Sequence, residues 1–332
     1  MNPVRGISPA LFAAAYPWLL IGFHSALDGN WFIATASKLF VSSMFLLIAF
    51  LEPLYALTSA RLACDARTDS RFRRLALWAV ACPTLYVFWG VLCGLLAVPG
   101  SDALWFSLGW VALGVLTILS PPNSIRRQVS PQAPAQLRVL HGVSALLLVI
   151  FVAFHLFNHL TILGGTDAHT AVMKAGRQVY RNAWIQPALV TLMLFQIGVG
   201  LRLAWLWSAQ PADWWRTFQL ASGVYLAVFI LGHMNSVFIY ARWHLGIETD
   251  WKFATGFPGG LIHDAWNIRL VPHYALGVFF VVAHLFSGLR IVLLSNGMSL
   301  VRANRVWFIG SSAAAALAGS IIVGMCGWRP FA

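Results

Sequence analysis

Residues 141–160, HGVSALLLVIFVAFHLFNHL, form an apolar run long enough to cross a bilayer, yet they carry His141, His155 and His159. Two later runs share this property: FQLASGVYLAVFILGHMNSVFIYAR at 218–242 holds His233, and HYALGVFFVVAHLFSGLRIVL at 273–293 holds His273 and His284. A membrane helix ordinarily presents hydrocarbon at such depths. An ionisable side chain placed there is expensive and usually faces a cofactor, a cavity or a partner helix. The chemistry of the chain is therefore expected between His141 and His284, and a haem-binding helix bundle is the first reading.

Composition fixes the class around that stretch. Of 332 residues, 59% are hydrophobic and 10% charged, which excludes a soluble globular protein. A formal net charge of +12 would point to nucleic acid in a soluble chain. Here the arginines fall mostly in short loops between apolar spans, the pattern that sets membrane topology, and no nucleic-acid partner is expected. Sixteen tryptophans suit the headgroup level. Cys64, Cys82, Cys93 and Cys326 contain no CxxC pair and no zinc spacing, and read as small core residues.

A span needs about 20 apolar residues at about 1.5 Å each. On that ruler the sequence predicts an all-α integral membrane protein with nine spans, near residues 9–26, 31–57, 75–98, 103–120, 137–163, 183–207, 217–241, 270–294 and 305–327. Arg61, Arg67, Arg71, Arg73 and Arg74 put the loop after the second span in the cytoplasm. Alternation then places Arg126, Arg127, Arg216, Arg302 and Arg305 on the same side of the cell membrane, with the N-terminus inside and the C-terminus outside. Arg5 agrees with that pattern, so the apolar run to Phe23 is expected to be a retained helix rather than a signal cleaved near Ala26. The loop at 164–182, with Lys174, Arg177 and Arg181, runs against the rule by falling outside.

SPPNSIRRQVSPQAPA at 120–135 reads as a linker. It divides the chain into a four-helix region at 1–120 and a five-helix region at 137–327, with the linker at 121–136. The first part holds His24 alone among the ten histidines. Its second span also carries Lys38, expected to snorkel to the outer interface, and Glu52, expected near the inner interface before a kink at Pro53. A proton or transport path is the alternative for that pair.

Haem b takes axial nitrogens from opposite faces of the ring, so its ligands should lie on different helices at one depth. His155 is 17 residues beyond Arg138 and His233 is 17 beyond Arg216, which places both about 25 Å from the inner edge. Ala153 and Gly232 are expected to let a flat macrocycle approach these helices. On the inner side, His284 and Gln196 match in depth, each 12 residues from a span end. Glutamine is a poor haem ligand. Either a second haem sits there, held by His284 with a substitute such as His141, or His284 and Gln196 hydrogen-bond across the gap.

These residues resemble the type B cytochrome b membrane subunit of succinate dehydrogenase and fumarate reductase, over about residues 137–327. HGVSALLLVIFVAFHLFNHL is similar to that family's first helix, GTDAHTAVMKAGRQVYRNAW (165–184) to its outer loop and LFQIGVGLRLAW (194–205) to its second helix. The runs at 218–242 and 273–293 are similar to its third and fourth. The resemblance implies a five-helix anchor with His155 and His233 as one ligand pair and His284 as half of the other, the family's fourth ligand falling on Gln196. The same module occurs as the membrane anchor of some class III adenylate cyclases; no soluble output domain is expected before the chain stops at Ala332.

Haem propionates end against cations near the interface, which makes Arg177, Arg181, Arg242 and Arg269 the candidate propionate or quinone contacts. The outer loops also carry His159, His169, His244, His263, His273, Glu248, Asp250 and Asp264, which could move protons with electrons or be solvated polar residues. The expected function is a membrane b-type cytochrome passing electrons between quinone and a soluble partner on the cytoplasmic face, with one haem b or two and no self-sufficient catalysis. It contains no GxGxxG and no cysteine cluster, so flavin or iron–sulfur chemistry would belong to the partner. The alternatives are a haem-based quinone or redox sensor read by a signalling partner, and a haem-free transporter or scaffold.

Overall fold

The computed structural model describes residues 3–28, 35–63, 70–121, 134–210 and 212–332. In chain order its α-helices are α1 (Pro3–Asp28), α2 (Thr35–Leu62), α3 (Ser70–Ala79), α4 (Cys82–Leu95), α5 (Asp102–Leu119), α6 (Ala135–Leu160), α7 (Thr166–Tyr180), α8 (Ile185–Ser208), α9 (Trp214–Met234), α10 (Trp251–Thr255), α11 (Gly260–His263), α12 (Leu270–Ser295) and α13 (Leu300–Met325). Eight of these are long and apolar enough to cross a membrane, and the bent pair α3–α4 brings the number to nine if it is counted as one span. The protein is an all-α, multi-pass membrane protein. Cys64, Arg67, Arg126, Arg127 and most of the proline-rich linker lie outside the described residues.

The third span departs from the single helix expected at 75–98. It breaks between α3 and α4 with a bend of 67°. Pro83, in the first turn of α4, cannot donate to the Ala79 carbonyl, and its ring crowds that oxygen, so the helix cannot run through. By contrast α2 continues through Pro53.

The helices α6, α8, α9, α12 and α13 pack in that order into a ring that closes through α13 against α6. The amphipathic helix α7 lies over one end, touching α6 and α8 and burying His169, Met173 and Gly176. Its tight entry uses Gly165, whose φ of +100° suits glycine. The first-half helices pack on the other side of α9: α2, α3 and α4 all contact it, and α4 also reaches α12. Half of α9's apolar window is buried, against 11% for α6, so α9 is the helix that both halves share.

Arginines clamp the halves together at the two ends. At one, the guanidinium of fully buried Arg73 donates to the carbonyls of Ser208 (3.1 Å) and Gln210, capping the C-terminus of α8, while Arg74 donates to Ser208 Oγ at 3.0 Å and lies 3.9 Å over the Trp205 ring. These residues were expected in a cytoplasmic loop. The C-terminal carbonyls of α8 are a natural seat for a cation. At the other end, Arg269 pairs with Asp102 of α5 at 2.5 Å. Exposed Trp184, Trp243 and Trp328 lie at this second end and Trp205 and Trp214 at the first, as aromatic residues do at membrane interfaces.

Candidate functional site

The structure brings the rings of His155 of α6 and His233 of α9 together, edge to face. Their ring centres are 6.0 Å apart, with planes at 73°. Each is backed by an aromatic ring on its own helix: Phe151 stacks on His155 at 5.5 Å and Phe229 on His233 at 6.0 Å. Among the described residues neither imidazole hydrogen-bonds another side chain. Directly after His233, α9 passes into a π-helical stretch, Asn235–His244. Such stretches concentrate at functional sites, and nothing in the local sequence announces this one.

The expectation for Ala153 and Gly232 does not hold. Ala153 is exposed, two residues before His155 and so on the opposite face of α6. Gly232 is buried against α4, where an added Cβ would meet Phe88 at 3.2 Å. Glycines instead lie against the other histidines: a Cβ on Gly200 would meet His141 Cε1 at 3.2 Å, and one on Gly223 would meet His284 Cε1 at 3.2 Å.

That second level, toward the Arg73 end, differs from the expected arrangement. His284 is hydrogen-bonded to Ser222 of α9, Nδ1 to Oγ at 2.8 Å, rather than to Gln196. Gln196 takes a hydrogen bond from Ser144 and lies 3.3 Å from His141 Nε2. His141 and His284 are near enough to sense one another's charge. Counting depth from the span ends missed this because helices differ in tilt and in where their polar ends begin. Ser222 Oγ also lies 2.8 Å from the Phe218 carbonyl and 3.2 Å from that of Gln219.

Around the first level, histidines continue toward the membrane edge. His159 is 4.8 Å from His155 and 5.6 Å from His169, centre to centre, and His169 packs 4.8 Å from Trp251 of α10. His169 Nε2 is 3.4 Å from Asn158 Nδ2. Burial, with Arg177 nearby, pushes the His169 imidazole down to about 4, so it is neutral at pH 7. His169 and His273 are both buried, not the solvated loop residues of one sequence reading; His244 and His263 are exposed. Asp250 and Asp264 accept from backbone N–H groups that open α10 and the turn before α12.

The four candidate arginines divide. Arg177 and Arg181 share Glu248, at 2.9 and 3.7 Å, and also bind Thr249 through its carbonyl and hydroxyl. Arg242 lies in the same field; it donates to Gln186 Oε1 at 3.2 Å. Burial and the guanidinium groups of Arg177 and Arg242 hold Arg181 below the ordinary arginine range. Three cations thus face one carboxylate, an arrangement that favours a further anion. Tyr180, next to Arg181, packs 5.7 Å from Phe151, which backs His155. Arg269 is the exception. Its charge is taken by Asp102 and by the Trp266 carbonyl, with the Tyr86 ring 4.2 Å away, so it serves the junction between halves and not the histidine site.

Two imidazoles bonded to one metal at about 2 Å each, with about 1 Å from nitrogen to ring centre, would have centres about 6 Å apart, which the His155–His233 spacing matches. Among the described residues no three His, Cys, Asp or Glu side chains converge on one point. No family profile, curated protein or solved structure matches this chain.

Proposed function

We propose that this protein is a membrane-embedded b-type cytochrome, with haem b held between His155 and His233. The 6.0 Å spacing of those rings, inside a closed five-helix ring, is the observation that carries the reading. Arg177, Arg181 and Arg242 would receive the propionates. Bound there, haem supplies one-electron transfer at a potential set by its ligands and surroundings. The chain's own residues set the rest: Phe151 and Phe229 fix the two imidazole planes, and Tyr180 ties the arginine cluster to the His155 side. His141 and His284 are the candidate second haem pair in place of Gln196.

The same end suits quinone chemistry. His159 and His169 place two further imidazoles beside His155 there, and quinone chemistry moves protons with electrons. A soluble redox partner at the Arg73 end would complete the electron path, as in the succinate dehydrogenase and fumarate reductase anchors that residues 137–327 resemble. The arginine distribution supports a cytoplasmic N-terminus in the cell membrane. The test is haem content in His155→Ala and His233→Ala. Each should lose the haem at this level, and unchanged content in both would reject the assignment.

A further inference from the structure

The first-half helices enclose a second polar site, separate from the histidines. Glu52 is fully buried, and among the described residues neither of its carboxyl oxygens has a hydrogen-bond partner. Tyr16 and Thr84 are also fully buried, and their hydroxyls have no hydrogen-bond partner among the described residues. These groups come from three packed helices, α1, α2 and α4, and α9 adds fully buried Tyr225. Glu52, Tyr16, Cys82 and Tyr225 lie within electrostatic reach of one another.

Each of the three helices carries a proline here. Pro17, Pro53 and Pro83 remove the donors that the carbonyls of Ala13, Ala49 and Ala79 would otherwise use, and all three alanines are fully buried. One of the freed acceptors is answered: the Cys82 thiol lies 3.6 Å from the Ala13 carbonyl. Proline-freed carbonyls on packed helices that also bury one acidic side chain are groups of the kind that hold a cation inside a bilayer. A single carboxyl without a second acid suits the smallest cation. A carboxylate this deep, with neither cation nor hydrogen bond, would carry a large desolvation cost, whereas the neutral acid can donate to a freed carbonyl.

We infer that Glu52 is a membrane-embedded proton-binding site, its acid form held among Tyr16, Thr84 and the carbonyls freed by three prolines. Polar side chains lead from it to the surface. Tyr16 and Tyr86 pack edge to face at 6.0 Å, and Tyr86 lies under Arg269, whose partner Asp102 is a quarter exposed. On the other side, Tyr225 donates to the His273 carbonyl at 3.1 Å, and His273 lies 4.7 Å from Phe229, the ring that backs His233. The inference stands independently of haem.

The chain contains only two glutamates, Glu52 and the exposed, ion-paired Glu248. Infrared spectra of purified full-length protein labelled with carboxyl-13C glutamate therefore read this site without a variant. The expected result at neutral pH is one isotope-shifted protonated-acid carbonyl band per chain, which shifts in D2O, is lost in Glu52→Gln and remains in Glu248→Gln. Two ionised carboxylates in the wild type would overturn the inference. So would an acid band that never shifts in D2O, which would mark a sealed structural acid, or one that sodium titrates away, which would assign the site to a metal cation.

Discussion

Replacing Asp102 by asparagine tests how firmly the two halves are joined. The pair it breaks is largely out of solvent: the Arg269 side chain is 8% exposed and that of Asp102 24%. Removing one partner of a buried pair costs about 3–5 kcal/mol, because the remaining charge is stranded. Here the stranded guanidinium keeps the Trp266 carbonyl at 3.0 Å and the faces of Tyr86 and Trp266 at 4.2 and 4.7 Å. Such ring contacts return about 0.5–2 kcal/mol, and Asp102 retains some water. The expected loss is thus about 2–3 kcal/mol. Reversible unfolding by sodium dodecyl sulfate in mixed micelles would measure it, with Arg269→Met and the double variant closing a cycle. A coupling energy of about 2 kcal/mol is expected, since the double variant strands no charge. A single-variant loss below about 0.5 kcal/mol, the value of an exposed pair, would refute the view that this ion pair holds the halves together.

Two further outcomes follow from the histidine end. His169 is held down to about 4 in the folded protein, against about 6.5 in an unfolded chain. The unfolded state binds the proton first as pH falls. The stability His169 provides is therefore complete above about pH 6.5 and is lost progressively down to about pH 4, on the order of 3 kcal/mol at most. His169→Gln should flatten the unfolding profile across that window; an unchanged slope would contradict the burial argument. Gly277→Ala would place a Cβ 2.2 Å from the Phe229 ring. With Phe229 held between His273 and His233, the expected cost is about 1–3 kcal/mol. Thermal unfolding would show it, and a wild-type midpoint would mean that Phe229 is free to move.

The membrane class was legible because hydropathy is local, and the eight single-helix spans lie where 20-residue apolar runs predict them. The break at Val80–Ala81 was readable in principle from Pro83, but a proline alone does not say whether a helix bends. Pro53 sits inside a helix that continues. The pairing of His155 with His233 was legible from depth because both helices start from arginines at the same end. The Gln196 pairing failed by the same method, since depth along a helix says nothing of azimuth and Gln196 turns to Ser144 and His141. Gly232 was misread for a related reason: a small residue beside a histidine in sequence is about 100° away from it on the helix, here facing α4. The burial of Glu52, Arg73 and His273 depends on contacts between distant segments, and no local pattern encodes them.

The most direct test is the reduced-minus-oxidised spectrum of the purified full-length protein, with haem quantified as the pyridine haemochrome. One haem b per chain, or two if His141 and His284 form a second pair, is the predicted result. Protein from haem-replete cells that carries none would contradict the account and leave the five-helix ring as a haem-free transporter or scaffold.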